Sequence, residues 1–348
     1  MNSVKRTAVF LIFLVLFGSF GAQQLLNAEE AQRAKELYQG KIVIGITNWP
    51  GYVPLIVARD KGYFKEAGLD VEIKFYPGLL ELSKDYVAGN MQGRANLTLD
   101  AIKEYFDGFD QQVVLTIDYS QGADAIFARK GIETVKDFRG RRVAYEPETL
   151  EEFFLTWVLL ENEMTLADII PVHADPEESA KQLAAGKVDV AVSYEPYISQ
   201  YLATPDFHPV YSSADAPGLI SDILTFRTDF IRSQPETVET LIRVYFKGLE
   251  FWKKHPSEAN ALTAKAYQDT AEGIANQLKG LKLLDERDNA AAFTFAAGFR
   301  SIYGNLRQIG KFILKYQKPK REGILNTDNL INRSFIKKIS GETLPKDV

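Results

Sequence analysis

Apolar and polar positions follow two alternating periods along most of the chain. A continuous apolar run, Ile42–Ile46, precedes a helical pattern over residues 53–62, and a second predicted strand, VEIKFY over 71–76, precedes a helical pattern from residue 79. Apolar runs without a polar face are typical of strands in buried parallel sheets, and their alternation with helices predicts βαβ units. The pattern therefore predicts an α/β fold of mainly parallel sheets flanked by helices.

The same alternation continues through the middle of the chain. Two βα sets are joined by extended stretches at 123–130 and 221–228, which predicts two lobes, two crossings between them and a hinge at the crossings. From residue 235 onward the apolar spacing is almost wholly helical. Further strands are predicted at residues 113–120, 123–130, 141–146, 188–197 and 222–230, and a helix is predicted from about residue 149.

The N-terminal residues differ from the rest of the chain. Lys5 and Arg6 precede an apolar run over residues 8–17, and small residues follow up to Ala22. This is the order of a secretory signal peptide, and the run is shorter than the ~20 residues of a spanning helix. An uncleaved anchor is the alternative. The predicted organisation is a signal peptide at 1–21, a spacer or helix at 22–40, a first lobe at 41–128 plus 224–280, a second lobe at 129–223, and a C-terminal helical region at 281–348 that packs on the lobes.

Cysteine is absent from all 348 residues. An exported chain without cysteine forms no disulfide and offers no thiol for a lipid anchor, so we expect a free protein in a periplasm. The formal net charge of −5 argues against general affinity for nucleic acid. A monomer is expected.

Enzyme motifs are not visible in the sequence. The three histidines, at 173, 208 and 255, are far apart, and no H-E-x-x-H, Walker A or G-x-G-x-x-G pattern occurs. The sequence therefore predicts no catalytic residue, no metal site and no cofactor. A periplasmic enzyme on a binding-protein fold, with carboxylates such as Glu146 and Glu195 as acid and base, is an alternative.

Several segments carry a family resemblance. GITNWPGYVPLIVARDKGYFKEAGLDVEI resembles the first βαβ unit of the substrate-binding proteins of ABC importers, in the subgroup that handles nitrate, sulfonates, taurine and the pyrimidine precursor of thiamine. DYSQGADAIFARKGIETVKDFRGRRVAY, LAAGKVDVAVSYEPY and SSADAPGLISDIL resemble later segments, whereas Ala95-Asn96 replaces the usual acidic-small pair. The likeness covers about residues 40–260. It implies a type II periplasmic-binding fold, a small-molecule ligand held between two lobes, and an inner-membrane permease as partner.

Ligand sites of such sheets lie at the carboxyl ends of the strands. The first loop there offers Asn48, Trp49 and Tyr52, whose rings suit stacking on a ligand or facing a cation. Packing between the lobes is the alternative role for Trp49. In the segment DYSQGAD, Asp118, Ser120 and Asp124 are candidates for hydrogen bonds to ligand, the alternative being a turn that shapes the hinge.

The second lobe adds candidates at its own strand ends. Glu146 stands where a strand meets a helix, and Tyr194 and Glu195 belong to the phrase SYEPY. Glu195 also suits the start of a helix, because Pro196 follows it. Asp222 is a weaker candidate, since aspartate near proline and glycine often only makes a turn.

The candidate loops contain several carboxylates but neither lysine nor arginine. A carboxylate enclosed in a dry cleft is costly unless it is paired. We therefore expect a cationic, amide or amino-heterocyclic ligand, an expectation that weakens if Arg94, Arg129 or Arg227 reaches the cleft. A binding protein that feeds a membrane sensor is the alternative to an importer component.

Overall fold

The computed structural model describes residues 37–316 and 326–341. The predicted signal peptide at 1–21 and most of the predicted spacer at 22–40 lie outside the described residues. Within the described residues, no helix combines the length and the apolar character needed to cross a membrane.

The strands of the described residues form two separate sheets. In chain order they are β1 Ile42–Ile46, β2 Val71–Phe75, β3 Gly93–Leu97, β4 Gln111–Ser120, β5 Asp124–Arg129, β6 Arg142–Tyr145, β7 Ile170–His173, β8 Val190–Tyr194, β9 Phe207–Ser212, β10 Ser221–Arg227 and β11 Leu281–Leu283.

Helices cover the sheets and make up most of the C-terminal part. They are α1 Val53–Asp60, α2 Tyr63–Glu66, α3 Leu79–Val87, α4 Thr98–Asp107, α5 Leu150–Glu161, α6 Pro176–Ala184, α7 Thr228–Ser233, α8 Pro235–Lys254, α9 Pro256–Tyr267, α10 Ala271–Gln277, α11 Glu286–Ala292, α12 Ile302–Tyr316, α13 Thr327–Leu330 and α14 Ser334–Ser340. Short 3-10 turns lie at Pro50–Tyr52, Val135–Phe138, Leu166–Asp168, Ser213–Asp215 and Leu278–Gly280, and a π-helical turn lies at Ile198–Leu202.

Each sheet is the centre of one lobe. The first has the strand order β11-β4-β10-β3-β1-β2, and the second has the order β7-β6-β8-β5-β9. The predicted two-lobed α/β fold is confirmed, but the prediction of mainly parallel sheets is wrong. In the first sheet β1 pairs parallel with β2 and β3, whereas β10 pairs antiparallel with β3 and β4. In the second, β5 pairs antiparallel with β8 and β9. Two of these antiparallel strands, β5 and β10, directly follow the crossings between the lobes.

The crossings lie beside the predicted stretches rather than within them. β4 and β5 belong to different sheets, so the chain crosses at residues 121–123; it returns at 213–220, between β9 and β10. The predicted lobe boundaries are corrected accordingly: residues 124–128 belong to the second lobe and 221–223 to the first. β11, which was assigned to the C-terminal helical region, is an edge strand of the first sheet because it pairs with β4.

One buried serine ties the two crossings together. The Ser213 hydroxyl accepts a hydrogen bond from the Gly122 backbone N–H at 2.7 Å and from that of Asp124 at 3.4 Å. It also shares a hydrogen bond of 2.7 Å with the Ser120 hydroxyl. The return crossing is therefore bonded directly to the outgoing one.

The C-terminal part holds both crossings from outside. The Gly280 carbonyl accepts hydrogen bonds from the Gln121 N–H at 2.7 Å and the Ala123 N–H at 3.2 Å. The Asn305 amide on α12 donates to the Gly218 carbonyl at 2.7 Å. α12 packs on α4 of the first lobe, and Phe312 contacts Phe153 on α5 of the second, with ring centroids 4.9 Å apart. This helix therefore contacts both lobes beside the hinge.

Candidate functional site

A cleft lies between the two lobes, where β1, β2, β3 and β8 end and β5 and β10 begin. It contains about 500 Å³ of empty space, including the part open to solvent. Its lining residues are Thr47, Asn48, Trp49, Tyr52, Pro77, Gly78, Leu79, Leu97, Asp124, Leu150, Tyr194, Glu195, Ile220 and Asp222.

The loop after β1 supplies two aromatic side chains, and each donates to a carboxylate. The Trp49 indole N–H donates to Asp118 Oδ2 at 3.1 Å, and the Tyr52 hydroxyl donates to Asp222 Oδ1 at 2.5 Å. The Trp49 carbonyl accepts a hydrogen bond from the Tyr267 hydroxyl at 2.9 Å. Both ends of Trp49 are therefore fixed by hydrogen bonds.

Gly51 permits this arrangement. A Cβ atom at position 51 would lie 1.9 Å from Asp118 Oδ2 and 2.8 Å from the indole nitrogen of Trp49. No side chain fits at such distances without displacing one of these two groups. The glycine is therefore required for the close approach of the first loop to Asp118.

The second lobe contributes the opposite wall of the cleft. Asp124 and Tyr194 are register partners at the ends of β5 and β8, so their side chains start side by side. Tyr194 meets Trp49 edge to face across the lobes, with ring centroids 6.1 Å apart. Glu195 lines the cleft and also accepts hydrogen bonds from the Ser199 N–H at 3.1 Å and hydroxyl at 2.8 Å. Its predicted alternative role at the start of the following turn is therefore present too.

Three buried carboxyl groups meet at the cleft without a cation. Asp222 on β10 is the register partner of Asp118 on β4 and of Leu97 on β3, so the two acids are cross-strand neighbours. The exposed fractions are 0% for Asp118, 3% for Asp222 and 4% for Asp124. Each carboxyl has one buried oxygen, namely Asp118 Oδ1, Asp124 Oδ2 and Asp222 Oδ2, that accepts no hydrogen bond from the described residues.

This arrangement changes the protonation of the acids. Burial raises the pKa of Asp118 to about 8, although the hydrogen bond from Trp49 opposes the rise. Burial also raises the pKa of Asp124 to about 7 and that of Asp222 well above its ordinary value, with the charge of Asp118 adding to the latter shift. Desolvation disfavours the charged form, and neighbouring carboxylates disfavour it further. The cleft therefore offers acceptors whose charge depends on what lies beside them.

The structure brings most of the predicted site residues together. The ones that line the cleft are Asn48, Trp49, Tyr52, Asp124, Tyr194, Glu195 and Asp222. Asp118 lies behind Trp49 as its hydrogen-bond acceptor, and Ser120 is buried against Ser213. Glu146 is half-buried, lies near Asp175 and Glu81, and is not one of the lining residues. Contact of these side chains with a ligand stays a prediction.

The three arginines that would have supplied a cation lie elsewhere. Arg94 is fully buried and forms an ion pair with Glu104. Arg129, at the far end of β5, pairs with Asp189 at 2.7 Å, and Arg227 pairs with its neighbour Asp229. Of the described residues that line the cleft, none is lysine, arginine or histidine.

Some lining residues were not predicted. Leu97 ends β3, and this strand was not predicted from the apolar pattern because Arg94 and Asn96 interrupt it. Leu150 begins α5, and beside it Glu151 is buried, which raises its pKa to about 8. Leu150 could have been predicted, because it follows the end of a predicted strand. The other lining residues outside the prediction are Thr47, Pro77, Gly78, Leu79 and Ile220.

In chemical terms, the cleft can accept hydrogen bonds and stack aromatic rings. Across residues 37–316 and 326–341, no group of three or more His, Cys, Asp and Glu side chains has the arrangement of a metal site.

Comparison with known families identifies the group to which this cleft belongs. A model of the family described as NMT1/THI5 like matches residues 49–259, which is more than half of the chain. The chain belongs to the NMT1/THI5-like family. The match includes the first loop of the cleft, both crossings and the whole second lobe, so the predicted resemblance is confirmed.

Individual relatives of this NMT1/THI5-like chain agree with that assignment. It is 25% identical over 245 residues to a Bacillus subtilis (strain 168) protein named as a candidate aliphatic sulfonates-binding protein, covering 67% of this chain and 72% of that one. The periplasmic aliphatic sulphonate-binding protein SsuA of Escherichia coli superposes with a TM-score of 0.72 at 14% identity, over 88% of this chain and 100% of that chain. The alkanesulfonate-binding protein of Xanthomonas axonopodis pv. citri, bound to MOPS, gives 0.67 at 13% identity, over 84% and 98%. These structures confirm the fold.

Proposed function

We propose that the protein is the substrate-binding component of an ABC importer, which encloses a small polar ligand between its lobes and delivers it to a membrane permease. The observation that carries this proposal is the cleft lined from both lobes beside two short crossings. Ligand contacts on both walls would be better made when the lobes are closed, so a ligand would shift the lobes toward closure. The names of the relatives support the same role.

The ligand class that we propose differs from the one in the relatives' names. The cleft presents carboxylates and aromatic rings, and its described lining residues contain no basic side chain. A sulfonate would find no basic side chain among these lining residues to supply its counter-charge, which is unfavourable in a cleft of low dielectric. A cationic, amide or amino-heterocyclic ligand would donate hydrogen bonds to the carboxylates and stack on Trp49, Tyr52 or Tyr194.

The importer proposal is tested with the ligand that the protein retains. Mass spectrometry of the purified protein identifies this ligand, and small-angle scattering then compares the stripped and the reloaded protein. We expect compaction on loading and recovery of the ligand unchanged. Chemical turnover of the ligand would instead support the enzyme alternative, and an unchanged scattering profile at saturation would contradict the clamp.

We also propose that the protein works in a periplasm, as the names of the solved relatives say of them. Osmotic-shock fractionation tests the location, and N-terminal sequencing of the released protein tests whether residues 1–21 are removed. Retention in the membrane pellet with an intact N-terminus would contradict a free periplasmic protein. Loss of ligand uptake on deletion of this gene would support an importer component, whereas unchanged uptake would support a sensor component.

A further inference from the structure

Two carboxyl groups, one from each lobe, face the same cleft with unused acceptors. Asp124 begins β5 in the second lobe, and Asp222 lies on β10 in the first. Both line the cleft, both are more than nine-tenths buried, and in each one oxygen, Oδ2, accepts no hydrogen bond from the described residues. Buried acceptors without a donor are costly, so an ordinary folded protein satisfies them internally.

We propose that Asp124 and Asp222 form one subsite for a cationic nitrogen head group, and that the ligand therefore carries a protonated amine or an amidine. This inference rests on the proposed binding function and narrows its ligand class from any donor-bearing molecule to a cation. The Tyr52 hydroxyl holds one oxygen of Asp222 at 2.5 Å, which leaves the other oxygen for the ligand.

The acidic side chains around the subsite determine which charge the head group should carry. A neutral amide donates hydrogen bonds but supplies no counter-charge, so the two buried acids would keep the protons that burial retains on them. A protonated amine or amidine supplies both the donors and the charge, and charge-assisted hydrogen bonds are the stronger kind. An anionic head group would be repelled by carboxylates from both walls.

A cation at this position would also connect binding to lobe closure. Because the two carboxyls belong to different lobes, their mutual repulsion opposes lobe closure when both are ionised. A cation between them attracts both carboxylates, so the electrostatic energy then favours closure. Cation binding would release protons that burial otherwise retains on these acids. The titratable groups that surround the pair are Tyr52, Asp100, Asp118, Glu151, Tyr194, Glu195 and Tyr245.

The experiment uses four compounds with one benzene ring and different head groups. Benzamidine and benzylamine are cations, benzamide is neutral, and benzenesulfonate is an anion. Calorimetric titration of the full mature protein, stripped of ligand, should give the tightest binding for a cation, at least about tenfold tighter than for benzamide. The affinity for the cation should rise from about pH 6 to about pH 8, with proton release detected in buffers of different ionisation enthalpy.

Matched variants assign the effect to the subsite. Asp222→Asn and Asp124→Asn should each weaken the cation about tenfold and leave benzamide nearly unchanged. Asp206→Asn, which removes an exposed carboxylate at the far end of the second lobe, should change neither. The Asn variants remove a buried charge rather than a packed side chain, and their thermal unfolding confirms that they remain folded.

The outcomes separate the subsite from the importer role. If neither cation binds, if benzenesulfonate binds best, or if both Asn variants bind the cation like the wild-type protein, the subsite is overturned. A retained natural ligand without a basic nitrogen would overturn it as well. None of these results removes the importer role, which fails only if the retained ligand causes no compaction or is chemically converted.

Discussion

Two groups of buried ionisable side chains are satisfied in opposite ways. Behind β3, the Arg94 guanidinium pairs with Glu104, donates to the Ser83 hydroxyl at 2.7 Å and lies 4.4 Å from the Tyr86 ring centroid. Gln111 donates to the same Glu104 carboxylate at 2.6 Å. At the cleft, the buried carboxyls of Asp118, Asp124 and Asp222 have aromatic and hydroxyl neighbours but no basic one among the described residues.

The two groups differ in whether the fold itself supplies a counter-charge. Burial raises the pKa of Glu104, as it does for the cleft acids, but Arg94 opposes that rise from within the fold. In the cleft, the corresponding cation would have to come from the ligand or be replaced by protons. Both groups obey the same desolvation physics, and they differ only in where the counter-charge originates.

The largest effect is expected from breaking the internal pair. Arg94→Met leaves Glu104 buried without its cation and should lower the free energy of unfolding by about 3–5 kcal/mol, as for other broken buried pairs. Urea unfolding measures the loss. Lys254→Met, which removes an exposed helical pair with Glu250, should cost less than about 1 kcal/mol. Equal effects of the two substitutions would contradict the structural role assigned to Arg94.

A smaller effect is expected from pH on the ligand-free protein. Asp118 has a folded pKa of about 8, above its unfolded value, so the folded state keeps a proton that the unfolded state loses. Stability from this group is therefore complete below about pH 4 and is lost as pH rises toward 8, by about 1.4 kcal/mol per pH unit.

The comparison variant is Asp118→Asn, which removes the titration and keeps an acceptor for Trp49. Between about pH 5 and pH 7, the wild-type protein should lose about 2–3 kcal/mol relative to this variant. Urea unfolding at several pH values measures the difference, and Asp206→Asn serves as the exposed control. A constant difference across this range would show that Asp118 is ionised in the folded protein.

The smallest effect tests the geometry around the cleft acids. Gly51→Ala places a methyl group against Asp118 and Trp49, so it should cost roughly 1–3 kcal/mol of stability and displace the first loop. Gly298→Ala is the matched control, since a Cβ there meets no atom within 4 Å. Thermal unfolding and ligand titration of both variants check the expectation. Unchanged binding by Gly51→Ala would mean that the first loop tolerates the displacement.

Much of the fold follows from local pattern. β1 occurs as predicted because its apolar run is continuous. β3 was not predicted from the apolar pattern, because buried Arg94 and Asn96 interrupt its apolar residues. These side chains are satisfied by partners such as Glu104 and Thr225, and sequence spacing does not reveal such contacts. The observed crossings differ in position from the predicted ones. The apolar pattern of β5 is the same for a strand that connects two lobes and for a strand within one sheet, so the pattern could not distinguish them.

The site was predictable as a set of strand ends but not as individual contacts. The strand-end rule selected Asp124, Tyr194 and Glu195, which line the cleft. It could not separate Asp222, which lines the cleft, from Asp118, which lies behind Trp49, because the contact between Trp49 and Asp118 joins segments that are far apart in the chain. The same rule also selected Glu146, which is not one of the lining residues.

The crossings are hydrogen-bonded to the Gly280 carbonyl and to the Asn305 amide, and this has a consequence for how the protein can be altered. The family match ends at residue 259, so the residues that hold the crossings from outside belong to a part of the chain where the family pattern imposes no sequence. The crossings are thus held together by Ser213 and from outside by residues beyond the family match. Exchanging residues 280–316 would therefore change the energy of lobe closure while leaving every lining residue in place.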